Sequence, residues 1–327
     1  MTSSDTTPDK AAGPSAWQRR IAGEWHGRPS LFDAEGTWAG YEDIKRSSVY
    51  RDGATTYYMD GGLEGGGPLA GRFRLGAPFA FGVADADTDR IYEGPDFHGS
   101  GQPYGSFVDA RYYGPGWQVG LNTWNQVLDD GMTQVYSSVL YEGWAVVGCF
   151  NGLYTRTTEP ELDAEASARV AELLAAETRC GPVPFVLPTK ERGTYAGRCE
   201  LWTADQKPAG TVEVAVELQP VDLLRTRHHV TWSGALEREF TVERRRDGNR
   251  SFLEGPDAWG SARAFGRANF PVWHLAGEAV EVKGREFAVD AAPGMNAGRQ
   301  LAVVYELSAG NRLESVLHGT LTWQPAA

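Results

Sequence analysis

No run of apolar residues in this sequence approaches the ~18 that a membrane-crossing helix requires, and the stretch from Met1 to Pro8 has neither a basic end nor an apolar core. The first absence predicts no membrane insertion. The second predicts a disordered tail over residues 1–14 without a signal peptide, and hence a cytoplasmic protein. Cysteine is scarce: Cys149, Cys180 and Cys199 are an odd three with no C-x-x-C pair, which argues against a disulfide framework and a cysteine zinc site. Histidine is scarce too, and the adjacent His228 and His229 would point to opposite faces of a strand, so no metal site is expected. Basic charge is outweighed: 31 lysines and arginines face 43 acidic residues, a net charge of −12 that disfavours nucleic acid and anionic membrane. Arg244-Arg245-Arg246 is the exception, but Asp247-Gly248-Asn249 follows at once and the run reads as a solvated hairpin tip. Gly61 to Gly67 is glycine-rich without a following lysine or helix, so it reads as a loop between strands, not a nucleotide cradle. There is no G-x-S-x-G elbow, and no cofactor is expected.

What the chain does have is a copy of itself. Glu93-Gly94-Pro95-Asp96-Phe97-His98-Gly99-Ser100-Gly101-Gln102-Pro103-Tyr104-Gly105 returns as Glu254-Gly255-Pro256-Asp257-Ala258-Trp259-Gly260-Ser261-Ala262-Arg263-Ala264-Phe265-Gly266, with seven of thirteen positions identical and an eighth aromatic in both. The same order holds on either side. Gly23 to Arg28 faces Gly193 to Arg198, and Phe150-Asn151-Gly152 faces Leu317-His318-Gly319. A repeat this long is a duplicated domain, not a solenoid unit, and 327 residues suit two domains, each with its own core. The glycines and proline of the motif predict a tight, irregular turn that Asp96 holds through hydrogen bonds to backbone amides.

Both copies read as β. Ser15 can cap a short helix from Trp17 to Ile21, ended by Gly23. Strand runs then follow at Thr55–Tyr58, Phe107–Tyr113, Trp117–Leu128, Thr133–Tyr141 and Trp144–Tyr154, separated by Gly, Pro and Asp turn residues. In the second copy, Thr211 to Leu218 alternates as a half-buried strand does, and further runs lie at Leu224–Trp232, Glu237–Arg244, Ser251–Glu254, Val272–Val282, Glu286–Val289, Gln300–Leu307 and Arg312–Trp323. Between the copies, Leu162, Ala166, Val170, Leu173 and Leu174 recur at helical spacing, begun near Pro160 and stopped by Cys180-Gly181-Pro182. The expected organisation is therefore a barrel over 15–156, a helical and proline-rich linker over 157–190, and a barrel over 191–327, since closure removes exposed strand edges.

Gly-x-(Trp/Tyr) on the first strand of each copy, as Gly23-Glu24-Trp25 and Gly193-Thr194-Tyr195, followed by a meander, resembles the lipocalin and wider calycin pattern. That resemblance implies an all-β fold of two tandem lipocalin-like antiparallel barrels, each an eight-stranded up-and-down barrel plugged by the G-x-W residue. The chain is similar to lipocalin-like accessory proteins and cyclases of actinobacterial polyketide pathways, the enediyne ones among them. The resemblance implies a hydrophobic partner, a polyene or fatty acyl intermediate, which the protein binds and whose cyclisation or isomerisation it directs. A cofactor-free cyclase, hydratase or isomerase of a polyene or terpenoid, and a non-catalytic scaffold, are the alternatives; a shared barrel edge would also allow a homodimer.

Copy one carries the candidate site. His98 titrates near neutrality beside an acid, and Asp109 stands with Phe107, Arg111 and Tyr113 on one strand face, so His98 and Asp109 are the candidate acid and base. Tyr104, Arg111, Tyr113, Asn122, Trp124 and Tyr136 are the candidate ligand contacts. If the Asp109–Arg111 face is inward, it is a buried pair in a cavity; if outward, a surface salt bridge of little weight. Trp117, Trp124, Tyr136, Tyr141, Trp144, Phe150 and Tyr154 lie on consecutive strands with Asn122, Thr123, Asn125 and Gln134 between them, and an aromatic interior with a few amides suits one enclosed ligand.

Overall fold

The computed structural model describes residues 13–64, 68–73, 78–95, 97–157, 164–180, 191–289 and 300–326. The expected tail to residue 12, residues 65–67, Asp96, and the start and proline-rich stop of the linker helix lie outside these residues; Gly61 to Glu64, expected as a loop, are strand, paired with Ile44 to Tyr41.

Copy one begins with α1 (Ala16–Ile21) and continues through β1 (Gly23–Gly27), β2 (Ser30–Asp33), β3 (Trp38–Arg51), β4 (Ala54–Glu64), α2 (Pro68–Arg72), β5 (Phe79–Asp85), β6 (Arg90–Gly94), β7 (Phe97–Tyr104), β8 (Phe107–Gly114), β9 (Val119–Val127), β10 (Thr133–Glu142) and β11 (Ala145–Arg156). After α3 (Ala164–Cys180), copy two runs through β12 (Gly193–Thr203), β13 (Pro208–Pro220), β14 (Arg225–Gly234), β15 (Arg238–Asp247), β16 (Arg250–Glu254), β17 (Ala258–Phe265), β18 (Ala268–Leu275), β19 (Val280–Ala288), β20 (Gln300–Ala309) and β21 (Arg312–Pro325). From β2 to β11 and from β12 to β21 each strand pairs antiparallel with the next, and β12 pairs with β21 to close the second barrel. In the first, β1 and β2 share one strand position, both lying between β3 and β11. The protein is all-β, two closed antiparallel barrels of ten strands, a tandem calycin-like architecture.

Ten strands replace the expected eight. The run Val272–Val282 spans the end of β18 and the start of β19, because Gly277 takes a positive φ of 76° and reverses the chain, and the expected run from Glu286 falls in that same β19; the strand absent from the expected runs is β17, inside the repeated motif. The repeated motif is also not one irregular turn: its second half is a regular strand in both copies, β7 and β17. Its glycines serve close packing instead. A Cβ on Gly99 would come within 2.5 Å of the Arg111 carbonyl, and one on Gly260 within 1.8 Å of that of Val272. Arg244 is not part of a solvated tip; it is 2 % exposed and points into barrel two, donating to Ser251 Oγ at 2.9 Å and Asn269 Oδ1 at 3.1 Å.

One end of barrel one is closed by α1. Ser15 caps that helix by accepting from the Gln18 amide at 3.0 Å and donates to Asp85 Oδ1 at 2.7 Å, and Asp85 also pairs with the fully buried Arg90. Trp25 lies beneath, wholly buried, with its indole N–H donating to the Ile21 carbonyl at 3.0 Å and the Arg156 guanidinium 4.6 Å from its ring. Tyr195 holds the matching place in barrel two, packed on Trp323. Helix α3 packs on β1, β3 and β11.

The barrels meet through matching surfaces. Gly105 ends β7 at a φ of +60° with its Cα face on Trp202 of β12; its counterpart Gly266 ends β17 at +54° with the same face on Phe32 of β2. Phe32 opposes Cys149 across the β2–β11 ladder as Trp202 opposes Val316 across β12–β21. Asn151 of β11 donates to the Phe265 carbonyl at 3.0 Å, and His318, its counterpart on β21, sits at the Tyr104 carbonyl. Such reciprocity is what an approximate two-fold axis between the barrels produces. The last residues of the repeated motif and the matching stretches around Asn151 and His318 are thus among those that each copy presses onto the other.

His318 carries a pH prediction. Burial pushes its pKa from 6.5 down to about 4, only partly offset by the Tyr104 carbonyl. The folded chain therefore refuses a proton that the unfolded chain takes, so the stabilisation is complete above pH 6.5 and is lost as the pH falls through about 4. At about pH 5 that loss amounts to roughly 2 kcal/mol. His318→Asn, which installs the residue copy one already uses, should remove that share of the acid sensitivity; urea denaturation at neutral and acid pH compares the two slopes.

Candidate functional site

The interiors of the two barrels differ among the described residues: barrel two packs a large buried core, and barrel one holds a cavity. Within barrel two, Val212, Val214, Val216, Leu218, Trp232 and Tyr305 belong to one buried core, beside a closed polar chain in which Arg244 reaches Asn269, Asn269 donates to Glu286 Oε2 at 2.6 Å, and Tyr305 donates to Glu286 Oε1 at 3.2 Å. Barrel one encloses a cavity of about 390 Å³, within the range of small-molecule sites.

The cavity has two unlike walls. Strands β4 to β8 supply Tyr57, Met59, Phe79, Phe81, Phe97 and Tyr112. Their rings interlock: Phe81 stacks on Tyr57 at 5.0 Å between centroids and meets Phe97 edge-on at 4.9 Å, and Phe97 meets Tyr112 at 5.9 Å. The facing strands, β3 and β9 to β11, supply Glu42, Arg46, Asn125, Gln134, Tyr136 and Tyr154. Here Arg46 donates to Gln134 Oε1, Gln134 donates to Asn125 Oδ1 at 2.9 Å, and the guanidinium lies 4.7 Å from the Tyr154 ring centroid. Glu42 is 4 % exposed. Burial, helped by the neighbouring Tyr154 and Glu42, holds the Tyr136 phenol well above its ordinary pKa, so it stays a hydrogen-bond donor across the accessible pH range. Trp17 and Ile21 of α1 floor the cavity, and Trp117, Leu121 and Phe150 lie at its other end.

Of the residues singled out in the sequence, Tyr136 lines this cavity. His98 is exposed on the outer face of β7. The face bearing Phe107, Asp109, Arg111 and Tyr113 points outward and the expected Asp109–Arg111 pair forms there at 3.4 Å, but the second barrel covers half of this face and buries Asp109. Asp109 is 8 % exposed and accepts from Arg285 of β19 at 2.6 Å; Arg285 also donates to Glu306 at 2.7 Å and to Asn122 at 3.2 Å. Arg111 and Tyr113, further along the strand, are exposed. Tyr104 and Trp124 are buried in the inter-barrel core with Phe287 and Val304. Of the aromatic and amide set expected for an interior, Trp117, Thr123, Asn125, Gln134, Phe150 and Tyr154 also line the cavity, whereas Trp144 is fully exposed, Tyr141 packs toward Phe265 and Phe270, and Trp124 and Asn122 face the other barrel.

Glu42 and Arg46 were not foreseen. They occur on β3, where Glu42, Ile44, Arg46 and Ser48 alternate inward, and the ladder to the first strand aligns them with Val212, Val214, Val216 and Leu218 of β13. Among the described residues no group of three or more His, Cys, Asp or Glu side chains is arranged to hold a metal ion.

No family model matches the sequence, and no curated protein does. Among solved structures, the chain is similar to a protein of unknown function from the DUF3598 family of Nostoc punctiforme, at 12 % identity and a TM-score of 0.56, covering 95 % of this chain and 99 % of that one. The likeness extends across both barrels and concerns the fold. Kievitone hydratase from Nectria haematococca (8 % identity, TM-score 0.23, covering 99 % of this chain and 96 % of that one) and an outer membrane protein from Bacteroides fragilis (9 %, 0.22, 95 % and 100 %) superpose too loosely to carry an argument.

Proposed function

We propose that this chain binds a largely apolar small molecule inside barrel one, a conjugated polyene or acyl intermediate of a specialised-metabolite route. The observation that carries this reading is the contrast between the two copies. On one strand frame, copy two packs aliphatic and aromatic side chains around its buried Arg244–Asn269–Glu286 chain, while copy one keeps about 390 Å³ open behind an aromatic wall. Close packing is the default for protein interiors, and an empty apolar cavity forfeits dispersion contacts at a cost in stability. A bound ligand restores those contacts. The resemblance of the tandem barrels to accessory proteins of polyketide pathways supports the polyene or acyl class.

Binding of the fluorescent polyene cis-parinaric acid tests this. Saturable binding to the wild type, weakened by about tenfold or more in Leu121→Trp, corresponds to a loss of at least about 1.4 kcal/mol as the new ring occupies the cavity. Trp144→Leu, at a fully exposed position on the β10–β11 turn, is the matched control and should bind as the wild type does. Native mass spectrometry of freshly purified protein, followed by solvent extraction, reports whether a co-purified ligand is present. An empty wild type that also leaves parinaric acid unbound would overturn the reading.

A further inference from the structure

The polar wall of the cavity is not something this barrel needs in order to fold. Strand pairing sets Glu42 against Val212, Arg46 against Val216, Gln134 against Leu301, Tyr136 against Val303 and Tyr154 against Leu321 of the other copy. All five positions in copy two are apolar and buried. The same ladder positions therefore accept aliphatic residues, and a buried carboxylate or guanidinium is costly where it has no role.

The polar groups are spread along the barrel, not gathered at one end. Glu42 and Arg46 both face inward on β3 and are separated by four residues, which places their Cα atoms roughly 13 Å apart. Both act on the Tyr154 phenol, which lies between them: Arg46 favours its ionised form and Glu42 opposes it. Gln134 and Asn125 extend the row beside Arg46, and Tyr136 lies on the Glu42 side. Donors and acceptors thus line one long wall, with rings along the other. A fatty acid has one polar end and an apolar remainder on every side, so along its chain it could add no hydrogen bond to this row, whereas a ligand with oxygens along one edge could.

We propose that the cavity takes a planar, conjugated molecule that bears several oxygens along one edge, the edge lying on Glu42, Arg46, Gln134 and Tyr154 and the face against Phe81 and Phe97. This deepens the ligand-binding reading above and rests on it. Glu42 accepts from a ligand hydroxyl, and Arg46 donates to a carbonyl or enolate oxygen. The class is that of polyoxygenated aromatics and their poly-carbonyl precursors, not simple acyl chains.

Four probes separate the possibilities: 1,8-dihydroxyanthraquinone, with three oxygens on one edge; 9,10-anthraquinone, with the same rings and no hydroxyls; anthracene; and palmitic acid. Tryptophan quenching, through Trp17 and Trp117 at the cavity, reads their affinities, with calorimetry as a label-free check. The dihydroxy compound should bind about tenfold or more tighter than anthraquinone, and anthraquinone tighter than anthracene. Glu42→Gln should lessen the hydroxyl preference and leave the carbonyl preference in place; Arg46→Met should do the reverse. The double variant Glu42→Val/Arg46→Val carries the residues that barrel two packs at these positions, so it should fold and bind the three ring compounds alike. If palmitic acid binds as tightly as the dihydroxy compound, or the preference survives the double variant, the proposed class is wrong while the cavity reading stands. If none of the four probes, nor parinaric acid, binds the wild type, both fall together.

Discussion

Arg285→Met should lower stability by about 3–5 kcal/mol, the cost of leaving buried charge without its counter-charge. The guanidinium is 6 % exposed and serves Asp109 and Glu306 at once, at 2.6 and 2.7 Å. Burial would by itself lower the Arg285 pKa, but the two carboxylates overcome this and raise it. Remove the arginine, and two carboxylates face each other across the barrel interface with the Asn122 amide and, 3.4 Å from Asp109, the largely exposed Arg111 as the groups left beside them. Burial already raises the Glu306 pKa, the Asp109 charge adds to that, and Arg285 opposes both. A carboxyl with a raised folded pKa binds its proton more readily in the fold than in the unfolded chain. Its effect thus favours the fold at low pH and is lost as the pH rises through the folded pKa. The deficit of the variant should therefore be widest near about pH 8 and narrow toward about pH 5, as protonation relieves the repulsion. Asp109→Asn placed in the Arg285→Met background should recover part of it. Urea denaturation of the three proteins at both pH values checks each step; a loss below about 1 kcal/mol at the higher pH would mean that water reaches the pair and screens it.

Gly266→Val should cost about 2–5 kcal/mol, the sum of a left-handed backbone forced on a branched residue and an overpacked contact. The φ of +54° supplies the first part; the second comes from the Phe32 ring, 2.4 Å from where the Cβ would sit. Gly131→Val is the informative comparison. Its φ is +64°, but nothing lies within 4 Å of its Cβ position, so it isolates the backbone cost. The difference between the two variants measures what the ring contact between the barrels demands. Gly105→Val, whose Cβ would lie 2.6 Å from Trp202, should behave as Gly266→Val does. Equal losses at Gly131 and Gly266 would show that Phe32 simply moves aside.

Much of this fold is legible in the residues. Alternation in Thr211–Leu218, the Ser15 cap and the paired G-x-(Trp/Tyr) each describe local geometry, and local geometry is what a sequence encodes most directly. The strand count went astray where the glycines and proline of the repeated motif read as a turn, although its second half forms β7 and β17. The interior of barrel one was legible as a set, since Thr123, Asn125, Gln134 and Tyr136 stand among aromatics on adjacent strands. What hid the role of Asp109 and Trp124 is that the surface burying them belongs to the other copy, and strand periodicity says only which face a residue is on. The signal for Glu42 and Arg46 was present and lay outside the repeated motif. Setting β3 against β13 residue by residue exposes two charges where the twin strand has valines.

The reciprocal seating of Gly105 on Trp202 and Gly266 on Phe32 makes the chain, in effect, a dimer whose halves share one backbone. Partners held by a short tether meet at effective concentrations on the order of millimolar, so their contact surface can be far weaker than that of two free proteins and still remain closed. A free homodimer must also use one sequence for both halves, so any hollowing of one barrel hollows the other. Fusion lifts that constraint. One half can stay solid and bear the mechanical duty of support, and the other can trade packing for an interior vacancy without the whole assembly losing its footing.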